Sequence, residues 1–313
     1  MASSMYRRTA EVLFPAEFGA RLSFVIKEPG MRSRYGLSIS NLLHPTDFSH
    51  GSDVAFAHAL RIALDTRGSL EILHVDRHRS KAKWDSYPSV RDTLHKWNLL
   101  DREASRSDVA HLGVHISKSA STGVDPAQGI LDHIERRGAD LIVLATHRRE
   151  GFDRWLKGSL AEKVANRTEA ATLFVPYGVP GFVDLETGKV SLQRVLIPVD
   201  QEPAPQLIID ATAALIESVA TEPVEVRLLH IGDPAGTPSV TLPHSTKCRW
   251  QWVTQNGDVV DTICRDASQN KVQLIAMATN GHDGFLDALR GSTTERVLGR
   301  AECPLLSVHQ LDE

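Results

Sequence analysis

Residues 139–175, ADLIVLATHRREGFDRWLKGSLAEKVANRTEAATLFV, align without a gap to residues 272–308, VQLIAMATNGHDGFLDALRGSTTERVLGRAECPLLSV. The offset is 133 residues, and Ala145/Ala278, Thr146/Thr279, Gly151/Gly284, Gly158/Gly291, Ser159/Ser292 and Glu162/Glu295 are identical pairs. A repeat of this length decides the architecture before any single element does. A second pair of segments, LLHPTD at 42–47 and VLIPVD at 195–200, repeats at an offset of 153, so the second copy lacks about twenty residues that the first carries between its motifs.

Each copy alternates apolar strands with amphipathic helices. In the first, Asn41–His44 is a short strand stopped by Pro45-Thr46-Asp47. Ser52 is positioned to cap a helix that runs to about Thr66, with apolar residues at helical spacing. Leu70–Val75 and Val114–Ser119 read as strands, and Trp84–Asp108 as a charged, mostly helical stretch, the part shortened in the second copy. Pro126–Arg137 is a helix with proline near its start. Leu141–Ala145 is uniformly apolar, as a strand buried on both faces must be. Gly158–Asn166 reads as a helix and Thr172–Val175 as a fifth strand. Matching strands are expected near Val195–Pro198, Val224–Ile231, Arg249–Thr254, Leu274–Ala278 and Leu305–Val308. This order predicts an α/β fold: two tandem five-stranded parallel-sheet domains with helices on both faces. Their expected bounds are 38–178 and 192–313, after an arm at 1–37. Residues 179–191 form a linker whose Thr187-Gly188, between Phe182-Val183 and Val190-Leu192, reads as a β-hairpin.

Composition removes several functional classes. The 35 basic and 39 acidic side chains leave a net charge of −4, which argues against a nucleic-acid-coating protein. The longest apolar runs are about five residues, where a spanning helix needs roughly 20, so no membrane insertion is expected. The arm resembles a signal peptide only in Arg7 and Arg8, because Glu11, Pro15, Glu17 and Arg21 interrupt every apolar stretch after them. It reads as a solvated segment with one short strand at Leu22–Ile26. Three scattered cysteines, Cys248, Cys264 and Cys303, form neither a disulfide framework nor a zinc site and suit a reducing cytoplasm. His74-x3-His78 and His111-x3-His115 have ligand-like spacing but no carboxylate or thiolate to complete four ligands, so no metal is assigned.

The polar punctuation falls just beyond strand ends. In an open parallel sheet that is where ligands bind, at the point where strand order reverses. Asp47 and Asp200 follow the first strand of each copy, and the loops after Ala145 and Ala278 follow the fourth. Those loops run to Gly158-Ser159 and Gly291-Ser292 at a helix start, whose unpaired N–H groups suit phosphate. Each feature alone reads equally as a loop or helix cap, but their repetition points to a nucleotide crevice. His147, Arg148, Arg149 and Lys157 form a basic loop, read either as a solvated face or as a phosphate site that needs no glycine.

On the segments HPTDFSHGSDVAFAHALRIA, LEILHV, ADLIVLATHRREGFDRWLKGSLAEKV, VLIPVD, VRLLHI and LIAMATNGHDGFLDALRGSTTERV, the chain resembles the universal stress protein family in its tandem, two-domain form. The resemblance covers about residues 38–178 and 192–313. It implies five-stranded adenine-nucleotide-hydrolase-like domains of strand order 3-2-1-4-5, paired through their fifth strands as a pseudo-dimer, with a homodimer of tandem chains as a further possibility. ATP-binding members carry Gly-x2-Gly-x9-Gly-Ser/Thr after the fourth strand. The corresponding positions here are Ala145, Arg148, Gly158 and Ser159 in the first copy, and Ala278, Gly281, Gly291, Ser292 and Thr293 in the second. The resemblance also makes Pro45, Thr46, Asp47 and Val75, and Pro198, Val199, Asp200 and Ile231, the candidate adenine- and ribose-side positions. Arginine lacks the conformational freedom that glycine gives a phosphate loop, so Arg148 against Gly281 favours the second domain.

The expected function is that of a cytoplasmic, nucleotide-responsive stress-protection protein binding ATP or another adenine nucleotide, with Mg²⁺ as an accompanying ion. No catalytic residue is assigned. A nucleotide-independent interaction protein, which the altered first-copy motif supports, and a weak ATP hydrolase stand as alternatives, the absence of a Walker-type Gly-x4-Gly-Lys-Ser/Thr counting against a dedicated ATP-consuming enzyme.

Overall fold

A computed structural model describes residues 39–76, 84–123, 125–146, 160–165, 167–280 and 293–310. The strands of the first copy are β1 (Asn41–Pro45), β2 (Ser69–Asp76), β3 (His115–Thr122), β4 (Leu141–Thr146) and β5 (Ala171–Pro176). Those of the second are β6 (Arg194–Pro198), β7 (Val224–Ile231), β8 (Cys248–Gln255), β9 (Leu274–Asn280) and β10 (Leu305–Gln310). The helices are α1 (His50–Thr66), α2 (Val90–Lys96), α3 (Arg106–His111), α4 (Pro126–Arg137), α5 (Leu160–Ala165), α6 (Gln206–Val219), α7 (Val259–Gln269) and α8 (Thr293–Arg300).

The ten strands form one sheet in the order β3-β2-β1-β4-β5-β10-β9-β6-β7-β8. The expectation of two five-stranded sheets is corrected to one ten-stranded sheet: the order 3-2-1-4-5 occurs twice, and the halves fuse edge to edge through the fifth strands. β5 and β10 pair antiparallel, with Leu305 opposite Phe174 and Ser307 opposite Thr172, whereas every other ladder is parallel. The reason is backbone accounting. A fifth strand left as an edge would expose a row of unpaired N–H and C=O groups, and pairing the two edges satisfies both. All six residues of β5 are buried as a result.

Alternation along each strand divides the core between two faces. Leu42 belongs to one cluster with α1 and α6, which pack together so that this cluster runs through both halves. Leu43 belongs to the other, with Ile130, Val164, Ile263 and Val297 from α4, α5, α7 and α8. Such double burial explains the uninterrupted apolar runs in the sequence.

Local details depart from expectation in two places. Ser52 does not cap α1. The helix starts earlier, at His50, with Ser49 at the cap position, and Ser52 turns inward instead. The stretch from Trp84 to Asp108 is helical only in pieces: a 3-10 turn at Trp84–Ser86, then α2 and the beginning of α3. The arm at 1–37, including Leu22–Ile26, lies outside the described residues.

The linker folds back on the first half. Val183 and Val190 form an antiparallel bridge, and Asp184 N–H donates to Lys189 O at 3.0 Å. His58, fully buried in α1, donates from Nδ1 to Val54 O at 2.7 Å. Its Nε2 accepts from the N–H groups of Phe182 (3.0 Å) and Val183 (3.3 Å), while Phe182 packs edge-on against the ring. Trp97 Nε1 donates to Leu185 O at 3.1 Å, and Lys96 pairs with Glu186. Gly181 sits at φ +72°, and a Cβ there would lie 2.2 Å from His58 Cε1. Gly181→Ala is therefore expected to cost roughly 2–3 kcal/mol through strain and loss of the clamp. Urea unfolding checks this, and an unchanged midpoint would remove the linker from the list of stabilising contacts.

Candidate functional site

The parallel β1–β4 and β6–β9 ladders bring the expected crevice residues together. Leu42 lies beside Leu141, and Leu196 beside Ile275, so the carboxyl ends of the first and fourth strands of each half emerge as neighbours. In the first half this end carries Pro45, Thr46 and Asp47 next to Ala145; in the second it carries Pro198, Val199 and Asp200 next to Ala278. Asp47 and Asp200 are exposed. Asp47 Oδ1 accepts from Ser49 N–H at 2.9 Å, and Asp200 Oδ1 from Gln201 N–H at 2.8 Å. Both are thus partly loop caps at exposed positions. Val75 and Ile231, at the ends of β2 and β7, are half-buried. Thr293 is exposed at the first residue of α8. Arg148, Gly158, Ser159, Gly281, Gly291 and Ser292 lie outside the described residues, as do His147, Arg149 and Lys157.

A repeated histidine, unassigned from sequence beyond its metal-like spacing, organises both sites. His74 Nδ1 lies 2.8 Å from Thr46 O, and His230 Nδ1 lies 3.2 Å from Val199 O. Each ring ties the end of its half's second strand to the loop that carries the aspartate. The signal was present in the sequence as the shared His of LEILHV and VRLLHI. In each half the Nδ1 partner is a backbone carbonyl.

The two crevices differ in what stands behind them. His44 is fully buried on β1 and donates from Nδ1 to Val143 O at 2.9 Å. Its Nε2 is 3.2 Å from Ser52 Oγ, which is 3.0 Å from Thr46 Oγ1, and Thr46 Oγ1 accepts from Phe48 N–H at 3.1 Å. Burial lowers the His44 pKa to about 4, against the weaker opposing pull of the Val143 hydrogen bond and of Asp47 and Asp53, so the ring is neutral. In the second half the aligned residues are Ile197, Pro205 and Val199. An apolar wall replaces the polar relay.

Beneath the second and third strands of each half lies an acid–base side-chain pair that the repeat preserves with the acidic and basic positions exchanged. In the first, Glu71 on β2 meets His133 on α4 at 2.9 Å. Burial raises the Glu71 pKa, but the Ser119 hydroxyl and His133 outweigh it and leave the carboxyl below its ordinary value. In the second, Arg227 on β7 holds Asp266 on α7 with two bonds of 3.1 and 3.0 Å, and Gln255 Nε2 adds a third at 2.7 Å.

A cavity of about 510 Å³ opens elsewhere, at the amino-terminal ends of β9 and β10, bordered by Val179, Cys264, Arg265 and Cys303. It lies at the opposite end of the strands from the crevices. Among the described residues no helix is long and apolar enough to cross a membrane.

Residues 39–176 and 244–309 match the model of the universal stress protein family. The chain is 27% identical over 146 residues to the universal stress protein YxiE of Bacillus subtilis, a match covering 44% of this chain and 98% of that protein. It is 28% identical over 134 residues to a universal stress protein of Methanocaldococcus jannaschii, covering 42% of this chain and 78% of the relative. The fold is similar to that of a solved universal stress protein from Archaeoglobus fulgidus, with a TM-score of 0.58 at 18% identity, covering 89% of this chain and 98% of that one.

Proposed function

As the chain belongs to the universal stress protein family, we propose that it is a two-domain, nucleotide-responsive stress-protection protein whose second crevice takes ATP or a related adenine nucleotide. The domains in this reading are residues 38–178 and 192–313, joined by the clamped linker at 179–191, and the protein works in the cytoplasm. Pro198, Val199, Asp200 and Ile231 hold the adenosine part. The backbone around Ala278, Gly281, Gly291, Ser292 and Thr293 holds the phosphates, with Mg²⁺ as the accompanying ion.

The observation that carries this reading is the exposed Asp200 carboxylate at the end of β6, flanked by buried Val199 and adjacent to the end of β9. A carboxylate there can accept from both ribose hydroxyls, and the apolar neighbours suit the base. Phosphate recognition depends on several backbone N–H groups aimed at one anion, each charge-assisted bond contributing about 1.5–3 kcal/mol. Gly281→Arg is therefore expected to weaken ATP binding by at least about tenfold, and Asp200→Ala by a similar factor. Titration calorimetry with ATP and Mg²⁺ measures both, and phosphate release assayed in parallel tests the hydrolase alternative. Parent-like affinity in both variants would move the site out of the second half.

A further inference from the structure

The cavity of about 510 Å³ at the amino-terminal ends of β9 and β10 belongs to neither crevice. One wall is α7 with the turn after it, a second is the turn between α8 and β10, and the third is the start of the linker, Val179 to Gly181. The linker reaches this place because β5 and β10 run antiparallel, so chain leaving the end of β5 passes the beginning of β10. His58 holds it there through the N–H groups of Phe182 and Val183. The cavity thus lies between the two halves, where ligand sites commonly form. Its floor is buried and apolar, with Ala267, Val272 and Pro304, whereas Arg265, Lys271 and Arg300 are exposed at its rim.

The first half shows what sets these residues apart. Asp125 caps α4 and Asp258 caps α7, so the 133-residue offset extends back through both helices. Along it Leu131 becomes Cys264 and Ile134 becomes Ala267, and the smaller side chains open the floor. Asp132 becomes Arg265, Glu135 becomes Ser268 and Gly138 becomes Lys271, which reverses the charge. The first half has Asp132, Glu135 and Glu169 against Arg167 at these positions; the second has Arg265, Lys271 and Arg300 against Asp261 and Glu302. Arg300 and Asp261 pair with each other at 2.6 Å, which leaves Arg265 and Lys271 against Glu302.

Lys271 supplies a second, independent observation. Its φ is 50°, and the aligned Gly138 has φ 73°. The turn closes α7 by Val272 N–H donating to Ala267 O at 2.9 Å and Lys271 N–H to Ser268 O at 3.2 Å. Glycine adopts a positive φ freely, and lysine does so under strain. The turn itself needs no side chain, as the first half shows. A strained residue retained where a relaxed one would serve has its reason in the side chain, and this one stands at the edge of a cavity.

We propose that the cavity binds a small organic anion, a carboxylate or a phosphate ester, with its head between Arg265 and Lys271 and its apolar body on Ala267, Val272 and Pro304. A guanidinium fork suits either head through two parallel bonds, and an ammonium adds a point charge beside it. The site is separate from both crevices and does not depend on their nucleotide reading.

The test is ligand-observed NMR titration of the full-length chain with benzoate and phenyl phosphate, beside benzyl alcohol and inorganic phosphate. The expected result is binding of benzoate, phenyl phosphate or both, at least about fivefold tighter than either control, and the tighter of the two identifies the head. Arg265→Asp and Lys271→Gly restore the first copy's residues, and Ala267→Ile nearly refills the floor. Each should weaken that binding by at least about fivefold. Lys271→Gly should do so while melting at or above the parent temperature, because it relieves the strained turn. A lowered melting temperature with unchanged binding would make the lysine a residue of the turn and overturn the proposal. Should Ala267→Ile not fold, the two exposed positions decide. Absence of binding to the parent up to about 10 mM, equal binding of benzyl alcohol, or parent-like affinity in both Arg265→Asp and Lys271→Gly would each overturn the proposal. So would displacement of the anion by ATP, which would put it in a nucleotide crevice.

Discussion

Lowering the pH from 7 to 4 is expected to remove roughly 6 kcal/mol of folding stability through two buried histidines alone. Burial depresses His44 and His58 from 6.5 to about 4, and both are fully enclosed. The unfolded chain takes up a proton at each histidine below pH 6.5, while the folded chain refuses it until about pH 4. The stability is thus complete above pH 6.5, falls by about 1.4 kcal/mol per pH unit for each histidine across that window, and levels off below it. His58 shows why protonation is resisted. Its Nε2 accepts two linker N–H groups, and a proton there would set donor against donor. Urea unfolding at half-unit steps between pH 6.5 and 5, above most carboxylate titration, should give a slope near two protons per chain. His44→Gln should halve it. A flat profile would mean that the rings are solvated in the native state.

Asp266→Ala is expected to destabilise the second half by about 3–5 kcal/mol, the usual cost of leaving a buried charge without its partner. Asp266 is 2% exposed, and its removal takes two bonds from Arg227, which keeps only Gln251 Oε1 at 2.9 Å and Glu225 at 4.0 Å, and one from the Gln255 amide. The paired change Arg227→Met with Asp266→Leu should recover most of the loss, because it removes both desolvated charges at once. Denaturant midpoints of the three proteins measure the coupling. If the single variant were as stable as the parent, water must reach the guanidinium and the pair would count as a surface contact.

Much of the fold was legible in the sequence because it depends on local pattern. Period-two and fully apolar runs located all ten strands to within a few residues, and proline at the start of α4 marked that helix by its fixed φ. The 133-residue repeat implied two copies of one unit, and the resemblance implied contact through the fifth strands. The polar residues at the carboxyl ends of β1, β4, β6 and β9 were legible for the same reason. A strand that stops at Pro-Thr-Asp announces where its carboxyl end lies.

Other features were decided only by tertiary structure. Whether two fifth strands meet as one ladder or as a looser contact depends on their edges, which side-chain pattern does not encode. Ser52 looked like a helix cap because its neighbours are local; its real partners, His44 and Thr46, reach it only after β1 and α1 pack. Phe48 and Tyr87 are 39 residues apart, and their rings meet only through the path of the insertion. The side-chain pair under the sheet is the clearest case. Glu71–His133 and Arg227–Asp266 occupy equivalent places with the acidic and basic positions exchanged, so alignment of the copies shows two mismatches where the folded chain keeps one interaction. Sequence similarity compares residues one position at a time. A side-chain pair is a property of two positions, and it can be kept when acid and base trade places.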